Sequence, residues 1–229
     1  MRRTIAACVL FGFLALLTVT TAAAKVPPPQ ANLGGANLSD WAKRFFVFDA
    51  SVPVVDGSHP ALDEGVVDCS LGQSGKVWFL ETAPGIVGEF ERRCSIPSGT
   101  GLYMPVFQWF CAPELDGIEI ADCLVDADGA FEDIDLGLTV DGHAYDDAAL
   151  DAYRAEVEEF ELPLVEDSYW EFVTGLELGD SLEFGADVVG VLLHPLSVGT
   201  HEIVVTYSSR AFEFAGTLTY RITVTPGKR

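Results

Sequence analysis

The sequence predicts a mainly β protein, an antiparallel β-sandwich with one short N-terminal helix and two disulfides. Three observations carry this. Near the C-terminus Leu218, Tyr220, Ile222 and Val224 interleave with Thr219, Arg221 and Thr223. That period of two belongs to a strand with one face on a core and one in water. Short apolar runs bounded by Gly, Pro and Asp recur along the chain, which favours many short strands over helices. Four cysteines, Cys69, Cys94, Cys111 and Cys123, lie in the body. An even number reads as two bridges in an exported protein.

The ends set the organisation. Arg2 and Arg3 precede an apolar run from Ile5 to Leu17, and Ala22-Ala23-Ala24 offers a cleavage site. Residues 1–24 therefore read as a signal peptide, and the expected location is secreted or periplasmic. Residues 25–37, with three consecutive prolines and Gly34-Gly35, read as a flexible leader. Residues 38–229 read as a single β-sandwich domain. No segment after the leader is apolar for long enough to predict a transmembrane segment. The composition is 49% hydrophobic, ample for a core. Asp and Glu number 35 against 13 Lys and Arg, for a net charge of −22. Such a field repels phosphate backbones and anionic membranes, which argues against a nucleic-acid partner.

The elements follow in order. Ser39 caps a helix that carries Trp41, Phe45 and Phe48 on one face, with Phe46 off the stripe. Residues 51–75 are rich in Pro, Gly, Asp and Ser and read as loop, with a brief strand near Val66-Val67. Val77–Leu80 and Glu89–Arg92 read as the arms of a hairpin around Ala83-Pro84-Gly85. Pro97 to Gly101 is a turn, and Leu102–Phe107 a strand. Asp141-Gly142 is a turn after the strand Leu138–Val140. From Asp146 to Glu158, Leu150, Tyr153 and Val157 have helical spacing. Phe160, Leu162 and Leu164 then alternate, and Pro163 suits an edge strand. Val188–Leu193 reads as a buried strand. Ile203, Val205 and Tyr207 begin the C-terminal sheet. Four cysteines allow three connectivities; 69–94 with 111–123 is favoured because both loops are local.

Candidate chemistry is sparse. Gly72-Gln73-Ser74-Gly75 lacks the spacing of a nucleophile elbow and precedes a strand, so it reads as a turn. His59, His143, His194 and His201 form no metal-binding spacing. Calcium is the one cofactor the sequence offers. Asp126, Asp128 and Asp135, with Gly129 between them, match three positions of an EF-hand loop, although Leu124 occupies the first position. The competing account is an acidic turn. A carboxylate pair for glycoside hydrolysis is open to a chain with 35 acids, but no pair stands out. Tyr103 and Trp109, beside Trp78, Phe79, Phe107 and Phe110, offer a platform on which a sugar ring could stack. The competing account is core.

The pieces GQSGKVWFLE, RRCSIPSGTGLYMPVF, TVDG, LLHPLSVGTHEIVV and LTYRITV, in that order over most of Trp41 to Val224, resemble a group of uncharacterised secreted bacterial proteins with a signal peptide and a β-rich, immunoglobulin-like body. The resemblance implies the fold and export and brings no catalytic residue with it. The leading expectation is a non-catalytic binding or structural protein with an extracellular ligand, a glycan being the class an aromatic face would hold. The alternatives are a secreted glycan hydrolase with an unidentified acid pair, and a calcium-stabilised adhesin-like module. An enzyme should show an acidic pocket with a carboxyl of raised pKa, a binding module an aromatic face.

Overall fold

The computed structural model describes residues 26–31, 35–83, 85 and 87–227. The expected signal peptide lies outside the described residues. The strands are β1 (Gly65–Val66), β2 (Val77–Phe79), β3 (Gly88–Pro97), β4 (Gly101–Cys111), β5 (Ile134–Val140), β6 (His143–Tyr145), β7 (Arg154–Pro163), β8 (Ser181–Leu193), β9 (Gly199–Ser209) and β10 (Phe214–Thr225). The helices are α1 (Leu38–Ser51), α2 (Pro113–Asp116), α3 (Ile120–Phe131), α4 (Asp147–Leu150) and α5 (Tyr169–Thr174). The class is mainly β as expected, with five α-helices among the described residues rather than one.

Two sheets form, in the orders β1-β3-β10-β9-β5-β6 and β2-β4-β8-β7. Alternation explains the core between them. Ile203, Val205 and Tyr207 of β9 and Leu218, Tyr220, Ile222 and Val224 of β10 turn inward to meet Leu102, Met104, Val189, Val191 and Leu193. A second apolar layer lies on the far side of the smaller sheet. There Phe45 and Phe46 of α1 pack on Tyr103, Phe184, Val188 and Leu192. β8 thus has apolar partners on both faces, which is why Val188–Leu193 is an unbroken apolar run. β7 is an edge strand and ends at Pro163, where a missing N–H is tolerated. Asp141 and Gly142 both take positive φ, 49° and 80°, in the tight turn from β5 to β6. This is the conformation an Asp-Gly hairpin turn requires.

Several expectations change. Asn37, not Ser39, caps α1: its side chain accepts from the Asp40 amide at 2.8 Å, and Asp40 accepts in return from Asn37. Ser39 instead donates to the Glu156 carbonyl at 2.6 Å, tying α1 to β7. Phe46 is fully buried because α1 is covered over a broad arc, its ring 4.7 Å from that of Phe184. The leader is tied to the body where it is described. Val26 donates to the Tyr145 hydroxyl at 3.1 Å, and the Tyr153 hydroxyl donates to the Pro27 carbonyl at 2.9 Å.

The expected hairpin of Val77–Leu80 with Glu89–Arg92 does not form. β2 pairs in parallel with β4, while β3 lies in the other sheet, parallel to β10 from Gly88 opposite Gly216 to Pro97 opposite Thr225. The sandwich is therefore mixed rather than purely antiparallel, and residues 80–83 lead the chain away from the smaller sheet. Helical spacing from Asp146 gives only α4 and a 3₁₀ turn at Asp151–Tyr153 before β7 begins. The acidic stretch from Asp122 is helix α3, not a loop or turn. Ile120, Cys123, Ala127 and Ala130 form its buried face.

Candidate functional site

The bridges are Cys69–Cys94 and Cys111–Cys123, the local pairing. The first fastens the chain after β1 to β3; the second fastens α3 to the end of β4. The calcium candidates do not assemble. Asp126 and Asp128 stand on α3 and Asp135 on β5. Asp128 is engaged by Arg154 at 3.0 Å, and Arg154 also grips both oxygens of Asp187. No group of three His, Cys, Asp or Glu side chains able to hold a metal occurs among the described residues. Tyr103 is 1% exposed and lies over Gly190, where a Cβ would overlap its hydroxyl, so it belongs to the core and not to a platform. Trp109 is half-buried at the end of β4.

Two constellations have the look of catalytic groups. In the first, His201 Nδ1 lies 2.6 Å from Asp141 Oδ2, with Ser197 Oγ 3.4 Å from Nε2. This is the order of a serine hydrolase triad. However, Nε2 is closer, at 2.8 Å, to the carbonyl of Ser197. A carbonyl only accepts, so Nε2 carries a hydrogen and has no lone pair to take a proton from Ser197. The group instead clamps the Leu193–Gly199 connection onto the β5–β6 turn.

The second lies at the open edge of the sandwich. Arg92 of β3 is fully buried. Its Nε donates to the Asp63 carbonyl at 2.7 Å and Nη2 to the Ala61 carbonyl at 2.8 Å. Nη1 reaches the carbonyls of Thr82 and Glu81 and the Tyr220 hydroxyl. All these acceptors are neutral, and Arg92 forms no salt bridge among the described residues. Beside it the carboxyls of Asp49 (4% exposed) and Glu81 (3%) are buried, and Asp49 Oδ1 and Glu81 Oε1 have no hydrogen-bond partner among the described residues. Burial pushes Glu81 up to about 8, against the pull of Arg92. Asp49 is raised well above the carboxylate range by burial, and further by Glu81. His59 is lowered by burial. It accepts from the Ala61 amide at Nδ1 and faces the Asp49 carbonyl through Nε2 at 3.3 Å. A recess of 440 Å³ lined by Asp63, Glu64 and Asp68 reaches this centre from outside. Sequence reading missed it, although Arg92 follows Phe90 and precedes Cys94 and Ile96 in the inward register of β3.

The end of the sandwich formed by the last residues of β4 and the β9–β10 turn is aromatic. A register slip between Pro105 and Phe107 lets Val106 and Phe107 both approach the core. The Phe107 ring meets Phe131 at 5.6 Å, Tyr207 at 6.0 Å and Phe214 at 6.2 Å. Phe212 extends this cluster outward to Trp109 at 6.3 Å. Phe212 is 50% exposed and Phe110 40%. The turn is shaped by the Ser209 hydroxyl, which accepts from the Phe212 amide at 3.0 Å. A cleft of 210 Å³ opens beside it, walled by Phe107, Phe110, Tyr169 and Tyr207 on its apolar sides and by Thr82 and Ala83. Gln108 also lines the cleft, and its Oε1 is buried without a partner. An unpaired buried acceptor costs roughly 1–3 kcal/mol.

No family model matches the chain, and no curated protein matches it. Among solved structures, PbICP-C in complex with falcipain-2 is 11% identical, covering 66% of this chain and 100% of that one, with a TM-score of 0.27. Amebosin is 10% identical over 62% of this chain and 100% of that one, with a TM-score of 0.21. The cysteine protease inhibitor EhICP2 from Entamoeba histolytica is 12% identical over 59% of this chain and 86% of that one, with a TM-score of 0.21. Similarity at this level carries no argument about function.

Proposed function

We propose that the protein is a non-catalytic binding protein acting outside the cell, which holds a neutral or cationic glycan ring at its aromatic end. The observation that carries this is the 210 Å³ cleft, with ring-bearing walls and the partnerless Oε1 of Gln108. The cleft is smaller than the roughly 300 Å³ of a drug-sized pocket, so it suits one ring or side chain. Its walls supply flat apolar surface, and the orphan acceptor suits a hydroxyl or amine donor. Exposed Phe212 and half-buried Trp109 lie beyond it as stacking surface for a further ring. The net charge of −22 disfavours polyanions. A binding role is further supported by the two chemical constellations. His201 Nε2 is committed to a carbonyl, and the Asp49 and Glu81 carboxyls are 4% and 3% exposed, so little of either is presented to a substrate in the recess beside Glu81. Two disulfides suit an oxidising compartment, and no described helix is long and apolar enough to cross a membrane.

The test is a titration with neutral cello-oligosaccharides and, separately, cationic glucosamine oligosaccharides. It is read at the Gln108 side-chain amide and Trp109 indole resonances. Saturable shifts at both groups are expected in the wild type, and the Trp109 shift is expected to be lost in Gln108→Ala with no fall in melting temperature. Millimolar oligosaccharide that leaves both resonances in place overturns the reading.

A further inference from the structure

The partners of the buried acid pair decide what it can do. Asp49 sits in the last turn of α1, and Glu81 in the segment leaving β2. An ionised carboxylate this deeply buried needs donors, and one oxygen of each group has none. Arg92, the cation that acts on Glu81, has its donors on the carbonyls of Ala61, Asp63, Glu81 and Thr82 and on the Tyr220 hydroxyl. The remaining groups around the pair do not compensate either. His59 donates to a main-chain carbonyl and stacks on Tyr169 of α5 at 5.1 Å. Asp63 uses its carboxylate on Ser58 and the His59 amide. Tyr220 of β10 donates to the Glu81 carbonyl. The closed arrangement therefore suits two carboxyls that keep their protons.

We propose that Asp49 and Glu81 form a proton-operated latch, which holds the 52–64 loop and the Glu81–Ala83 segment closed while both carboxyls are protonated and releases them when the protons leave. The parts held are identifiable. The 52–64 loop hangs from Arg92 through Ala61 and Asp63, and from α1 through His59. Thr82 and Ala83, which directly follow Glu81, and Tyr169, which stacks on His59, are walls of the 210 Å³ cleft. The acidic recess of 440 Å³ on the other side is lined by Glu81 and gives protons and water a route to that member of the pair. Protonation thereby sets the shape of the cleft wall. The latch rests on the buried pair alone and stands independently of what the cleft binds.

Opening that releases one proton becomes about tenfold more favourable for each pH unit, up to the pH at which the closed form itself ionises. Hydrogen exchange of the full chain between pH 5 and 9, corrected for intrinsic rates, reads this directly. Protection in residues 52–64 and 80–83 is expected to fall about tenfold per unit for each proton released, with the Glu81 contribution levelling off above about pH 8, while β9 and β10 stay flat. In Glu81→Gln and Asp49→Asn, which imitate the protonated acids, the slope is expected to drop. An equal slope in wild type and both variants overturns the latch. Infrared spectroscopy of the wild type gives a second reading, independent of whether the variants fold. A protonated-carboxyl band should persist at pH 7, and its Glu81 share should decline as pH rises through about 8; its absence at pH 7 overturns the proposal.

Discussion

Arg92 Nη1 donates to the Tyr220 hydroxyl at 2.9 Å, and that hydroxyl donates in turn to the Glu81 carbonyl at 2.9 Å. One short relay thus joins β3, β10 and the chain leaving β2, across both sheets. Replacing Arg92 by Leu would leave the carbonyls of Ala61, Asp63, Glu81 and Thr82 without this donor. The expected loss is about 3–5 kcal/mol in urea denaturation. Tyr220→Phe removes only the hydroxyl and should cost about 1–3 kcal/mol. If Arg92→Leu proved no worse than Tyr220→Phe, the guanidinium would not be the member that ties the edge together.

The acid pair predicts the direction of pH dependence. Glu81 is raised from 4.5 to about 8 and Asp49 is raised as well, so the folded chain keeps protons that the unfolded chain releases above about pH 4.5. Stability from these groups is fully present below the unfolded values and is lost as pH rises toward the folded ones. Each proton so held gives a slope of about 1.4 kcal/mol per pH unit inside that window. Self-repulsion of a surface with net charge −22 acts in the same direction. Urea midpoints measured from pH 4.5 to 9 should therefore fall with pH, and fall less steeply in Glu81→Gln. A midpoint that rises across this range contradicts the buried, protonated pair.

What the sequence made legible depends on where each residue's partner lies. Leu218, Tyr220, Ile222 and Val224 carry their own evidence, because a strand with one wet face writes its orientation as a period of two. The cysteine pairing follows from proximity along the chain. Helix α3 had a signal in the spacing of Ile120, Cys123, Ala127 and Ala130, but the carboxylates of Asp126, Asp128 and Asp135 suggested a loop. The β2–β3 pairing failed because alternation marks strands and not their partners. Arg92 was harder still: its acceptors are mostly main-chain carbonyls, which have no signature in side-chain order. Gln108 was hidden likewise, since a missing partner shows only when its surroundings are in place.

The two aromatic layers should respond oppositely to truncation. Phe46 is fully buried against Phe184, so Phe46→Ala should cost about 3–5 kcal/mol through lost transfer energy and a residual cavity. Phe212 is 50% exposed at the tip of the β9–β10 turn, and Phe212→Ala should change stability by less than about 0.5 kcal/mol. Thermal melts of both variants check this. A large loss in Phe212→Ala would make the aromatic end a part of the core rather than an available surface.

The Cys111–Cys123 bridge closes a short loop, with a sequence separation of 12, and fixes α3 to the end of β4. Apart from it, α3 is held by a small cluster of Cys111, Ile120 and Cys123 and by Arg154, which pairs with Asp128 and lies over the Phe131 ring at 4.4 Å. Asp128 is mostly exposed, so that ion pair alone is worth well under about 1 kcal/mol. The double substitution of Cys111 and Cys123 by Ser should cost about 2–3 kcal/mol. Because the loop is local, the damage should be local: amide protection should collapse across Ile120–Phe131 while β8, β9 and β10 keep theirs. Phe131 packs on Phe107 at 5.6 Å, so a loosened α3 should also disturb the aromatic end. Uniform loss of protection over the whole chain would instead make α3 part of the cooperative core, with the bridge holding the sandwich together rather than one helix against it.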